Sequence, residues 1–139
     1  MKLITKDTDY AIRALQCIAA NKNKTVTVCG LSEKLCMPRS FLRKILQILN
    51  KKGVLKSCKG KGGGFCLNMS PSKINVLALI EIFQGPFHLC EHVFQGRNCP
   101  DSRSCYFKKR LDGLEEKAAK ELSLITIAKI IKNKKGSLI

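Results

Sequence analysis

The chain has 139 residues, about one domain's worth, and its hydrophobic fraction of 45% supports an ordinary core, which excludes a disordered basic tail. Its 26 lysines and arginines against 10 acids leave a net charge of +16, which points to an anionic partner, nucleic acid foremost. No apolar run reaches the roughly 18 residues of a membrane span, and the charged opening segment carries no signal-peptide core, so the cytoplasm is the expected compartment. There, eight cysteines point to metal or redox chemistry more than to a disulfide framework.

The first helix is predicted over residues 8–20, where Ala11, Ala14, Leu15 and Ile18 make one apolar face. Thr5 or Thr8 suits its N-cap, and Asp7 and Asp9 suit the positive end of its dipole. A second, short helix is predicted over 28–35 behind Thr27, with Val28, Leu31 and Leu35 as its stripe. After Cys36 and Met37, Pro38 suits the first turn of a third helix, which runs to about Lys51 and turns Phe41, Leu42, Ile45, Leu46 and Leu49 inward. Gly53 can end it in a left-handed cap. Its other face carries Arg39, Ser40, Arg43, Lys44 and Gln47. A short helix, a tight turn and a second amphipathic helix describe a helix-turn-helix.

Strands are predicted at Val54–Cys58 and Phe65–Leu67, joined by Lys59-Gly60-Lys61-Gly62-Gly63-Gly64. This is a β-hairpin with a basic, glycine-rich tip, placed where a winged helix carries its wing. Glycine there lets the backbone take positive φ and come close to a phosphate. The string lacks the spacing and the Gly-Lys-Ser/Thr ending of a nucleotide-binding loop. A fourth helix follows over 76–84, stopped by Gly85-Pro86, and then a long loop over 86–104, a length that usually carries function in a small domain. From Cys105 to about Leu122 the chain is helical again. Phe107, Leu111, Leu114, Ala118, Leu122 and Ile125 form a heptad-like seam that a partner subunit would cover. A short final helix over 126–131 and a mobile basic tail over 132–139 complete the reading. The fold class is therefore mainly α with a small β-hairpin wing. It divides into a winged helix-turn-helix domain over 1–85, a cysteine-bearing loop over 86–104, a dimerisation helix with a short final helix over 105–131, and the tail.

The charge is concentrated at one end. Residues 1–66 hold 14 Lys/Arg against three acids, a net +11, whereas residues 67–139 hold 12 against seven. The cysteines also divide. Cys17, Cys29, Cys36, Cys58 and Cys66 are scattered through predicted elements and read as small packing residues. Cys90, Cys99 and Cys105 fall in or at the edge of the long loop, spaced Cys-x8-Cys-x5-Cys. Soft thiolates select zinc, copper(I) or an iron–sulfur cluster, and three leave one coordination position for another group. His88 and His92 flank Cys90, so a Cys3His zinc site is also open. The same two histidines are the only bases beside a thiol, and no catalytic constellation is visible, so an enzyme is not expected.

The helix-turn-helix, the wing Lys59–Phe65, the segment Ile74–Ile80 ending in Gly85, the opening Thr5–Ala11 and the three loop cysteines together resemble the IscR/NsrR/RirA-type (Rrf-type) family of winged-helix regulators. The resemblance covers nearly the whole chain, in order. It implies a homodimeric transcription regulator that reads a pseudo-palindromic DNA operator. In cluster-binding members three cysteines between the fourth helix and the long helix hold an iron–sulfur cluster, [2Fe-2S] or [4Fe-4S]; by position these are Cys90, Cys99 and Cys105. The fourth ligand is not a cysteine. One type uses a histidine three residues after the last cysteine, a position filled here by Lys108. Another uses a carboxylate from the first helix of the partner subunit, which matches Asp9 and ranks it ahead of His88 and His92. The x8 spacing is longer than the x5 common in the family, and the wing's frequent arginine is Lys59 here, which keeps the charge without the planar fork.

On this reading Arg39, Ser40, Arg43, Lys44 and Gln47 face the major groove, while Lys59, Lys61, Gly62 and Gly63 meet phosphates or an adjacent minor groove. The cluster acts as the switch of a repressor, sensing iron, redox state or nitric oxide. The alternative keeps the DNA-binding fold and makes the trio a thiol-redox or zinc sensor.

Overall fold

The computed structural model describes residues 2–21, 25–60, 62–90, 99–101 and 103–136. Helix α1 spans Lys6–Ala20, two residues longer at its start than the apolar period predicts. Thr5 occupies its N-cap position but its side chain makes no capping bond. Instead the Gln84 side chain, far along the chain, accepts from the Thr5 backbone N–H at 3.0 Å and from the buried Thr8 hydroxyl at 2.8 Å. Thr8 is thus an interior residue of the helix with its one polar atom satisfied, and no cap.

Helix α2, Val28–Leu35, begins as predicted, with the Thr27 hydroxyl accepting from the Gly30 N–H at 3.0 Å. It ends on Cys36, which takes a left-handed conformation at φ 53°, φ ψ space usually left to glycine or asparagine. Helix α3 is Arg39–Lys51, and Pro38 stands at its N-cap with extended ψ, one position earlier than expected. Leu42, Ile45, Leu46 and Leu49 are buried, and the Phe41 ring meets Tyr10 of α1 edge-on at 5.3 Å. Gly53 closes the helix at φ 76°.

Strand β1, Leu55–Cys58, pairs antiparallel with β2, Gly64–Leu67, in a register that sets Lys56 opposite Cys66 and Cys58 opposite Gly64. Strand β2 starts one residue before the apolar pattern because Gly64 pairs with Cys58 of β1, and Val26 bridges Phe65 beside it through two 2.9 Å backbone hydrogen bonds. A Cβ on Gly64 would lie 2.2 Å from the Val26 carbonyl oxygen, so a close backbone approach, rather than a positive φ, requires glycine there.

A 3-10 turn at Pro71–Lys73 leads to α4, Val76–Gln84, capped by the Asn75 side chain on the Ala78 N–H at 2.8 Å. Helix α5 is Tyr106–Leu124 and α6 is Ile127–Gly136. The final helix therefore runs through five residues that the sequence assigns to a mobile tail. Ile127, Ile130 and Ile131 continue a 3.6-residue stripe that packs on α1 and the 3-10 turn, and their burial holds the basic residues beyond them in the helix. The core lies among α1, α2, α3, β1, α4 and the start of α6, with Leu15, Leu42, Leu46, Leu49, Leu79 and Ile127 fully enclosed. Among the described residues, no helix is long and apolar enough to cross a membrane.

Candidate nucleic-acid interface and cysteine segment

Helix α3 turns its two faces to different surroundings. The apolar stripe is buried, and Arg39, Ser40, Arg43, Lys44 and Gln47 are all solvent-exposed on the opposite side. Among the described residues the ion pairs are Arg13–Asp9, His88–Glu115 and Lys108–Asp112, so no described carboxylate neutralises Arg39, Arg43, Lys44 or Lys59. The wing lies next in the chain. Gly60 and Gly62 hold positive φ of 110° and 76°, and the Gly63 N–H donates to the Gly60 carbonyl at 2.9 Å, closing the tip. Gly63 has no room for a side chain, since a Cβ there would sit 2.7 Å from the Cys58 carbonyl oxygen. Lys59 is exposed beside this turn, and Lys61 falls outside the described residues. The result is a helix with an unpaired polar and cationic face next to a hairpin with a basic, side-chain-poor tip. Both parts suit a polyanion with grooves.

The cysteine segment is assembled less completely. Cys90, Cys99 and Cys105 are free thiols, each half-buried. Among the described residues no three His, Cys, Asp or Glu side chains converge as metal ligands. Residues 91–98, with His92, lie outside the described residues. Cys105 is the N-cap of α5, and its sulfur accepts from the Lys108 N–H at 3.4 Å. His88 is engaged by Glu115 of α5 at 3.1 Å, and the same carboxylate accepts from the Leu89 N–H at 2.9 Å, one residue before Cys90. The Leu89 hydrogen bond, helped by His88, holds the Glu115 carboxyl below the ordinary carboxylate range. Glu115 thus anchors the start of the segment to α5, a role with no signal in the sequence. Asp9 sits in the first turn of α1 and pairs with Arg13 at 3.1 Å.

One cysteine pair departs from its expected packing role. Cys58 and Cys66 lie on one face of the hairpin with their sulfurs 3.2 Å apart. Cys66 and Thr25 hydrogen-bond toward Cys58 and lower its pKa, while Cys66 itself is raised by the same contact. Both flank the glycine tip at matching distances from it, and that symmetry is the sequence signal that could have revealed the pair.

A family model described as "Rrf2: Iron-dependent Transcriptional regulator" matches residues 4–133. A putative HTH-type transcriptional regulator of Aquifex aeolicus is 40% identical over 74 residues, a stretch that is 53% of this chain and only 51% of that protein. The HTH-type transcriptional regulator NsrR of Bacillus subtilis is 28% identical over 136 residues, covering 96% of this chain and 92% of that one. Among solved structures, T. potens IscR superposes with a TM-score of 0.77 at 20% identity, over 100% of this chain and 92% of its own. CymR, the global cysteine regulator of B. subtilis, does so at 0.76 and 17%, over 96% and 98%. The mainly helical fold with its two-stranded wing is thus that of known winged-helix regulators, and with nearly all of its length matched, the chain belongs to the Rrf2 family of transcriptional regulators.

Proposed function

We propose that the protein is a homodimeric, cytoplasmic repressor that reads a pseudo-palindromic operator with α3 and the wing, and that Cys90, Cys99 and Cys105 hold an iron–sulfur cluster controlling that binding. The observation that carries the reading is the position of the three thiols. They bracket the segment that joins α4 to α5, and Cys105 is itself the cap of α5. By type the donors suit the group, three free, half-buried sulfurs with Asp9 of the partner subunit as the fourth ligand, and binding would draw together side chains that do not converge among the described residues. Bound there, a cluster supplies a centre whose charge and ligation change with iron supply, oxidation or nitric oxide.

The chain's own residues do the rest. Arg39, Arg43 and Lys44 meet phosphates and guanine edges, Gln47 and Ser40 meet base edges, and Lys59, Lys61, Gly62 and Gly63 bring the wing to the backbone of an adjacent groove. Glu115 and the Cys105 cap couple the cysteine segment to α5. The exposed Tyr106, Phe107 and Leu114 along α5 supply the apolar face of the subunit contact. A rearrangement at the cysteines therefore changes how two recognition helices are spaced. A coupling of about 1–3 kcal/mol is enough for regulation on a tenfold scale.

A thiol sensor without a cluster is the second reading. It is favoured by the absence of a converged ligand set among the described residues and by the structural likeness to an oxidized form of Staphylococcus aureus CymR, at a TM-score of 0.73. Anaerobic purification with iron and sulfide analysis and a visible spectrum separates the two. Iron with matching sulfide, lost on replacing any of Cys90, Cys99 or Cys105 with alanine, is the expected result. Zinc alone, or no metal, moves the assignment to the second reading.

A further inference from the structure

Cys58 and Cys66 form a second thiol site, distinct from the cysteine segment. Cys58 ends β1 and Cys66 lies within β2, and the register places them diagonally across the hairpin on the same face. Their sulfurs are 3.2 Å apart, with no other group between them. Neither residue is sealed in the core. Both line a cleft of about 640 Å³ between the end of α1, the hairpin and the 3-10 turn, together with Asn21, Thr25, Lys56 and Met69. A small molecule can therefore reach them, and the Lys56 ammonium on the same face favours an anionic one.

We propose that Cys58 and Cys66 are a redox-active dithiol that an anionic low-molecular-weight disulfide oxidises to an intra-hairpin disulfide, stapling the wing. The two thiols have different roles. The hydrogen bonds from Cys66 and Thr25 favour the thiolate on Cys58, whereas Cys66 is held as the protonated partner. Cys58 attacks the small disulfide, forming a mixed disulfide and releasing one small thiolate. Cys66 then gives up its proton and attacks the Cys58 sulfur, forming the Cys58–Cys66 bond and expelling the second small thiolate. Two protein thiols are oxidised, one small disulfide is reduced to two thiols, and the two protons of the dithiol end on the released thiolates.

The bond closes a loop around Lys59–Phe65, the segment that carries the wing. Because Cys58 faces Gly64 and Cys66 faces Lys56, the bond joins positions that are not register partners, and it pulls the two strands along each other as well as together. The tip then changes its placement relative to α3. The DNA consequence rests on the operator-reading proposed above, whereas the thiol chemistry does not.

The test treats the full-length reduced protein with oxidised glutathione, alkylates the remaining thiols and maps tryptic peptides without reduction. The expected product is residues 57–59 joined to residues 62–73, with a mass two hydrogens below the sum of the free peptides, and reverting with dithiothreitol. The Cys66→Ser variant should instead trap glutathione on Cys58. Recovery of both peptides alkylated and unjoined, at oxidant levels that modify other cysteines of the chain, overturns the site. Binding is then compared on a duplex selected by the reduced protein from a random pool, where oxidation should weaken affinity about tenfold, and the Cys58→Ser variant should show no such loss. Equal affinity of the two forms overturns the coupling to the wing. A joined peptide in a protein that selects no duplex supports the dithiol and counts against the operator reading alone.

Discussion

The N-terminal head and helix α5 have similar proportions of apolar residues, yet one encloses them and the other largely does not. In α3, four leucines and isoleucines are sealed against α1, α2 and β1. In α5, Leu122 is the one buried residue, while Tyr106 and Phe107 are 76% and 67% exposed and Leu114 is 54% exposed. The head satisfies its own polar groups, down to the buried Thr8 hydroxyl on Gln84. Leu122 packs on Val76 and Ile80 of α4, but among the described residues Phe107 and Leu114 of the α5 seam have no such cover. A single chain can finish a domain of short, locally paired elements, but a long helix with a heptad stripe needs a second surface.

Five substitutions test that contrast. Leu46→Ala, at a fully enclosed site, should cost about 2–5 kcal/mol of unfolding free energy, read by urea denaturation. Leu114→Glu should weaken self-association by about 2 kcal/mol or more while leaving the secondary structure intact, as seen in sedimentation and circular dichroism. If it unfolds the subunit instead, α5 belongs to the core and the contrast is lost. Gly64→Ala should cost about 1–3 kcal/mol, because the Val26 carbonyl must move. The same change at Gly113, in α5 with open space around it, should stabilise the subunit by about 0.5–1 kcal/mol. Lys59→Ala should have the smallest effect: stability unchanged, and the slope of log affinity for duplex DNA against log salt reduced by about 1. An unchanged slope would remove the wing from the phosphate contacts.

Much of the head was legible in the sequence because its signals are local. The period of Leu42, Ile45, Leu46 and Leu49, the Thr27 cap and the glycine string between two short strands each need only a few neighbouring residues. The errors fall where a distant group intervenes. Helix α1 starts early because Gln84 takes over its cap, and β2 starts early because Gly64 meets Cys58 on the facing strand. The predicted tail is partly helix because Ile130 and Ile131 find α1. In the cysteine segment, the spacing of Cys90, Cys99 and Cys105 singles out candidate donors, but it says nothing of Glu115 holding His88 and Leu89.

The order of the elements, the cationic face of α3, the glycine wing and, through family resemblance, the class of protein are all legible in the chain before any fold is known. Side-chain period, caps and glycine placement act over one or two turns of chain, and so they survive without knowledge of the fold. Tertiary structure alone decided which cysteines meet. Cys58 and Cys66 looked like two isolated packing residues until strand register set their sulfurs 3.2 Å apart. It also decided that the basic C-terminal residues extend a helix and that, among the described residues, Phe107 and Leu114 of α5 stay uncovered. Register, packing and exposure are properties of where elements meet, and local sequence does not contain them.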